Sequence, residues 1–204
     1  MHRDAAPLVL ASASPRRADL LRAAGIAFVT VPADLDESRH AGEQADAYVR
    51  RLAWAKAAAI VTAGESRAVL GADTVVLVDD RVLGKPEDAG DARRMLEALS
   101  GRAHQVMTGV AIIAPNPPGH DGPANARRSL IRVSSTLVEF GVLSHDDIDW
   151  YVASGEPMGK AGAYAIQGLA SRFVTRIVGS YSNVVGLPVA EVHVMCRSLG
   201  ILLS

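Results

Sequence analysis

Apolar and polar positions along this chain follow two periods, and the switches between them mark its elements. PLVLAS (7–12) is a short apolar run that predicts a buried strand. Pro15 then suits a first helical turn with Ser14 as its N-cap; Leu20, Leu21 and Ala24 give that helix an apolar face, and Gly25 ends it. AFVTVP predicts a second strand and PADLDES an acidic loop. Residues 45–63 read as a helix with Val49, Leu52 and Ile60 along one row. Lys56 falls in the same row, four residues after Leu52 and four before Ile60. A charge on an apolar stripe has either a partner or task inside, or a packed stem with its ammonium in water.

AVLGADTVVLVDDRVLGKP predicts two strands joined by a turn at Asp79–Asp80, and 88–99 a helix with Met95, Leu96 and Leu99 inward. HQVMTGVAII and SLIRVSSTLVEFGV read as two long strands. Between them APNPPGHDGPANARR, rich in Pro, Gly and Asn, reads as an exposed flexible loop without chemistry. SHDDIDWYVASG predicts a helix capped by Ser144, with aspartates in its first turn. Residues 159–180 are Gly-rich with short apolar runs, and LPVAEVHVMCRSLG is the last helix. There is no internal repeat. Interspersed strands and helices indicate an α/β fold with a mixed sheet, in one domain spanning 1–204.

Composition narrows the function. The chain is 49% hydrophobic, enough for a full core, and its net charge of −1 argues against a general nucleic-acid or membrane surface. Any anion site is therefore built locally. No apolar run approaches transmembrane length, and the N-terminal run that mimics a signal peptide is too short and enters a capped helix, so a cytoplasmic protein is expected. Cys196 is the single cysteine, which excludes an internal disulfide and reads as a buried inert thiol. Of 21 basic residues only Lys56, Lys85 and Lys160 are lysine; the rest are arginine. In a chain so biased, lysine marks either chance or positions that need a compact ammonium rather than a planar fork.

Three places carry candidate chemistry. Ser14, Arg16 and Arg17 stand at a helix N-terminus, where unpaired N–H groups and the positive dipole end favour an anion. The same dipole disfavours two arginines unless an anion offsets them. The dipeptide alone reads as an ordinary solvated arginine pair. No GxxxxGK[ST] or GxGxxG is present, which excludes a P-loop and a dinucleotide fingerprint. Asp73 in VLGADTVV, after an apolar strand, is placed either to hold a divalent cation and activate water or to serve as a strand-end turn aspartate. The acidic loop with Asp34, Asp36 and Glu37 offers a second carboxylate or a solvated face, the latter favoured for Asp34. Lys85 lies between Gly84 and Pro86, and Lys160 in the glycine-rich EPMGKAGAYAIQG. Gln167, before Gly168, offers a donor and an acceptor together, matching a uracil or thymine edge, or is an ordinary turn glutamine.

Taken together, SASPRR (12–17), DLDE (34–37), RLAWAKA (51–57), GADTVV (71–76), LGKP (83–86), LSGRAHQVMTGV (99–110), GEPMGKAGAYAIQG (155–168) and GSYSNVVGLPV (179–189) closely resemble the Maf family, the septum formation proteins. The resemblance runs through nearly the whole chain in order, and it is closest to the dTTP/UTP pyrophosphatase branch, whose marking positions match Arg16, Thr74 and Gln167. It implies a mixed twisted sheet flanked by helices, two lobes around a nucleotide cleft, a fold shared with inosine triphosphate pyrophosphatases (Maf/Ham1), and a homodimer.

It further implies a nucleoside triphosphate pyrophosphatase, a hydrolase that cleaves between the α and β phosphates with Mg²⁺ or Mn²⁺. Asp73 would be the proton acceptor with Glu37 beside it, and both would face the metal. Ser12, Ser14, Arg16, Arg17, Lys56 and Lys85 would bind the triphosphate; Lys160, by its glycine-rich setting, is read as a further point-charge contact to it; Arg16, Thr74 and Gln167 would set specificity. House-cleaning of modified pyrimidine nucleotides or arrest of cell division would be the setting. Two positions depart from the family pattern: Gly159 stands where an aspartate is usual before Lys160, and Gly141 follows Phe140 where an arginine is usual. Two other readings stay open: a nucleotide-sensing regulator of septum formation that binds without turnover, and a sugar nucleotidyltransferase, whose first loop is usually richer in glycine than LASASPRR.

Overall fold

The computed structural model describes residues 6–116 and 126–203. The first five residues, and the greater part of the loop expected between the two long strands, lie outside them. In chain order the elements are β1 (Leu8–Leu10), α1 (Pro15–Ala23), β2 (Phe28–Thr30), α2 (Ala45–Thr62), β3 (Val69–Val78), β4 (Arg81–Leu83), α3 (Ala89–Leu99), β5 (Ala103–Pro115), β6 (Arg127–Phe140), α4 (His145–Ala153), β7 (Val174–Val178), α5 (Tyr181–Val185) and α6 (Val189–Ser198). Short 3-10 turns at Ala161–Ala163 and Leu169–Phe173 fill the Gly-rich stretch. The seven strands form one mixed sheet in the order β2-β1-β3-β5-β6-β7, with β4 on β3. β1 pairs in parallel with β2 and β3, whereas β4 and β7 pair antiparallel with β3 and β6.

Local chemistry accounts for several boundaries. Asp79 and Asp80 take positive φ of 46° and 60°, as a two-residue hairpin turn between β3 and β4 requires. Asp88 caps α3 by accepting from the Asp91 N–H. Ser144 and Asp147 form a reciprocal capping box at the start of α4. Ser14 differs from its expected role: it occupies the N-cap of α1, but its side chain makes no capping bond. β7 and α5 were not anticipated, being five residues each.

The chain divides into two compact units. The first comprises residues 1–73, 108–134 and 186–204. Strand alternation sorts its core into two clusters. Leu8, Leu10, Leu70, Ala72, Val110, Ile112 and Ala114 pack with Leu21 of α1 and with Val192, Met195 and Cys196 of α6. The intervening Val9, Ala11, Val69, Ala111 and Ile113 pack with Ala53, Ala57 and Ile60 of α2. Each strand is thus buried on both faces, which explains why these segments read as continuous apolar runs. Cys196 is buried, and desolvation pushes its thiol up to about 11, so it is an inert part of this core.

Helix α2 lies unusually close to its strands. A Cβ on Gly71 would come within 2.2 Å of the Ala53 carbonyl oxygen, and one on Gly109 within 2.2 Å of the Val49 carbonyl oxygen. Both glycines are therefore required by packing, and they draw α2 down until its side chains reach β3.

The second unit comprises 74–107 and 135–185. Its core joins Val76, Val78 and Leu83 to Met95, Leu96 and Leu99 of α3, Tyr151 of α4, Phe140, Tyr164 and Phe173. His104 is enclosed there, 2% exposed, with Nε2 2.9 Å from the Tyr164 hydroxyl and its ring edge-on to Phe140. Desolvation pushes its imidazole down to about 4, so it is neutral in the fold.

Candidate active site

Asp73 is not at a strand end. It sits inside the ten-residue β3, 7% exposed, where the alternation that turns Val69 and Gly71 to α2 turns Asp73 the same way. Lys56 meets it there. The lysine Nζ donates to Asp73 Oδ1 at 2.6 Å and lies 2.7 Å from Glu37 Oε1. Its side chain is 7% exposed, and two carboxylates compensate the ammonium. The expected solvated face of the acidic loop resolves residue by residue. Asp34 is exposed, Asp36 turns onto its own loop to accept from the Ser38 N–H and hydroxyl, and Glu37 alone of the three reaches Lys56.

The SPRR turn adds a second group of polar atoms. Arg17 is buried: its Nε donates to the Gly186 carbonyl at 2.8 Å and its Nη1 to Ser12 Oγ at 3.1 Å. Desolvation lowers its guanidinium from the usual value, while the charges of Asp73 and Glu37 oppose that, which places Arg17 in the field of both carboxylates. Ser12 Oγ also accepts from the Ser14 N–H at 3.2 Å. Arg16 is half-buried, with its guanidinium lowered by burial, and makes no hydrogen bond or ion pair among the described residues. The adjacent arginines thus divide their work. Arg17 ties the start of α1 to the chain at Gly186, while Arg16 stands uncommitted beside a helix N-terminus that no side chain caps.

The 37–43 segment has no sheet ladder and is held instead from α2. Tyr48 OH donates to the Glu37 carbonyl at 2.7 Å, and Arg51 Nη2 to the Ser38 carbonyl at 3.0 Å. Arg51 also grips Glu43 with two bonds of 2.7 and 2.8 Å and lies 5.5 Å from the Tyr48 ring centroid. Desolvation, then the charges of Asp73 and Glu37, raise the Tyr48 phenol, so it remains a donor at neutral pH. Neither Tyr48 nor Arg51 was singled out from the sequence. The clue was available: Tyr48 stands four residues before Leu52, in the row that ends at Lys56 and Ile60.

The remaining candidates belong to the second unit. Thr74 is half-buried, and strand alternation turns it to the face opposite Asp73. Lys85 is exposed in a loop whose Gly84 carbonyl accepts from the Gly162 N–H at 3.0 Å, which brings the GKP and GKAG loops together. Lys160 donates to the Glu156 carbonyl at 2.5 Å, so backbone oxygen holds it in the loop that carries Gly159. Gln167 is exposed, directly before Gly168. Glu156 accepts from the Tyr151 hydroxyl at 2.9 Å and from the Leu169 and Ala170 N–H groups at 3.1 and 3.3 Å. A Cβ on Gly168 would lie 2.2 Å from that carboxylate.

Among the described residues no three His, Cys, Asp or Glu side chains cluster as a ready-made metal cage. The pair Asp73 and Glu37 suits a hard divalent cation that completes its shell with water and substrate oxygens, as Mg²⁺ does. No helix among these residues is long and apolar enough to cross a membrane.

Comparison with known proteins adds an independent line. The family model described as Maf-like protein matches residues 7–199. A dTTP/UTP pyrophosphatase of Anaeromyxobacter sp. (strain Fw109-5) is 52% identical over 193 residues, covering 95% of this chain and 89% of the relative. One of Citrifermentans bemidjiense is 48% identical, covering 96% of each. One of Shewanella oneidensis is 49% identical over 203 residues, covering 96% and 99%.

Proposed function

Because this chain belongs to the Maf family, we propose that it is a nucleoside triphosphate pyrophosphatase acting on dTTP and UTP. It hydrolyses the anhydride between the α and β phosphates, releasing the nucleoside monophosphate and pyrophosphate. The observation that carries this reading is the buried Lys56 ammonium between Asp73 and Glu37, within the field of Arg17. That arrangement concentrates carboxylate oxygen and fixed positive charge at one place, as attack by water on a polyanion requires.

In this reading the Asp73 carboxylate takes the proton of the attacking water. The water oxygen bonds to phosphorus, the bridging bond breaks, and its electron pair leaves on pyrophosphate. General-base help of this kind contributes ~10²–10⁴-fold. Arg16, Ser14 and the uncapped N–H groups of α1 receive phosphate oxygens, and Arg17 and Ser12 hold that turn in place. Glu37 and Asp73 would hold Mg²⁺ or Mn²⁺, which would supply charge neutralisation at the phosphate oxygens. We keep Lys56 and Lys85 as phosphate contacts and Arg16, Thr74 and Gln167 as specificity residues on the strength of the family resemblance, and Lys160 as a phosphate contact on its glycine-rich setting. A cytoplasmic homodimer that binds neither nucleic acid nor membrane belongs to the same reading, and light scattering on the purified chain tests the dimer.

The deciding experiment is a panel of nucleoside triphosphates with and without Mg²⁺ or Mn²⁺, scored for pyrophosphate. Metal-dependent release from dTTP and UTP is expected. Tight nucleotide binding without release would point to a sensor, and formation of a nucleotide sugar on adding sugar phosphate would point to a transferase.

A further inference from the structure

Glu37 sits in a segment without regular hydrogen bonding, yet its carboxylate must meet Lys56 within 2.7 Å. An irregular loop does not hold a side chain to that tolerance unless its backbone is tied. One face of α2 supplies the ties. Tyr48 and Lys56 are eight residues apart, about two helical turns, so both project from the same side of the helix. Tyr48 takes the Glu37 carbonyl and Lys56 the Glu37 carboxylate, so the residue is held at both ends by a single rigid element. Arg51, one turn after Tyr48, holds the next carbonyl, packs against the Tyr48 ring and anchors the far end of the loop through Glu43. Glu43 is driven down to about 2, mainly by its side-chain bond to Arg51, so the anchor stays ionised through the whole neutral and mildly acidic range.

We propose that Tyr48, braced by Arg51, is a positioning residue that sets the Glu37 carboxylate for divalent-cation binding. The proposal rests on the function inferred above. The Tyr48 hydroxyl bonds the Glu37 backbone carbonyl, so it acts on the carboxylate through the main chain. Its contribution is therefore to geometry and shows as metal affinity rather than as nucleotide affinity.

The test is Tyr48→Phe, which removes the one hydroxyl and keeps the ring under Arg51. Binding of Mn²⁺ is read by electron paramagnetic resonance in the presence of α,β-methylene UTP, and turnover of UTP is followed against Mn²⁺ concentration. Half-saturation by Mn²⁺ should rise about 10–100-fold, as for other groups that orient a metal ligand, with UTP KM at saturating metal changed by less than about twofold. In a Glu37→Gln background the same change should cost nothing further, because the carboxylate it positions is gone. Arg51→Lys should give a smaller shift in the same direction, since it keeps charge but loses the fork. Unchanged Mn²⁺ half-saturation in Tyr48→Phe overturns the clamp, and so does an equal loss in the Glu37→Gln background. Wild-type protein that binds Mn²⁺ and the analogue but releases no pyrophosphate overturns the activity and leaves the clamp standing on its binding data. Wild-type protein that binds no Mn²⁺ overturns both.

Discussion

Lys56 Nζ and Asp73 Oδ1 are 2.6 Å apart, with both side chains at or below 10% exposure, in the interior face between a helix and a sheet strand. A lysine in such a place is tolerated because Glu37 completes its neutralisation at 2.7 Å. Removing the ammonium takes from both carboxylates the cation they bond directly, leaving them only the field of Arg17, and breaking a buried pair by deleting one partner costs about 3–5 kcal/mol. Partial exposure of Glu37 at 40% reduces this, so Lys56→Met should lose roughly 2–4 kcal/mol. Thermal unfolding without metal checks it, and a wild-type midpoint would show that the ion pairs do not matter to the fold.

Asp73→Asn keeps the size of the side chain and removes the base. Turnover of UTP should fall by about 10²–10⁴-fold while nucleotide binding persists. Steady-state kinetics beside calorimetric titration of a non-hydrolysable UTP analogue separates the two. A variant with wild-type turnover would take the proton-accepting role from Asp73.

Gly71 sits on the same strand face, two residues before Asp73, and its missing Cβ lets α2 approach. Gly71→Ala should push the helix outward, at a cost of about 1–3 kcal/mol for overpacking. Because α2 carries Lys56, turnover should suffer beyond what the stability loss explains. Denaturant unfolding together with kinetics at a temperature where the variant is fully folded is the check.

His104 gives the fold a pH dependence of definite sign. Its imidazole titrates near 6.5 when unfolded and at about 4 when buried. Above pH 6.5 both states are neutral and the residue adds no slope. Between 6.5 and 4 the unfolded chain takes up a proton that the folded one does not, so stability declines with falling pH and levels off below about 4. The whole loss is roughly 3 kcal/mol. Denaturation at pH 7.5 and 4.5 should therefore show a steeper fall for wild type than for His104→Gln, and equal slopes would exclude His104 as the source.

Gln167→Glu removes the donor from the proposed base-reading amide and should weaken dTTP and UTP use relative to other nucleotides, because a carboxylate cannot donate. Gly168→Ala should act similarly by a different route, since its Cβ would collide with the Glu156 carboxylate that orders the loop. Comparing kcat/KM across the nucleotide panel tests both, and an unchanged profile in each removes this loop from specificity.

The amino-acid order alone was enough for whatever depends on near neighbours. The α2 stripe, the Asp79–Asp80 hairpin, the Ser144 capping box and the mixed α/β architecture follow from periods and caps that act over a few residues. So did the family, because its motifs are carried in order along the chain. Five-residue β7 and α5 escaped, as their patterns are too short to separate from loop. What folding in three dimensions decided is which partner each polar group obtained. Arg17 is bound to Gly186, 169 positions away, whereas its neighbour Arg16 makes no hydrogen bond or ion pair among the described residues; nothing local distinguishes the two. Asp73 became a mid-strand carboxylate facing Lys56, and Tyr48 a tie on Glu37, only because two glycines let α2 settle on the sheet. A charge in a protein interior takes its meaning from the few ångströms around it, and those are set by packing between distant segments.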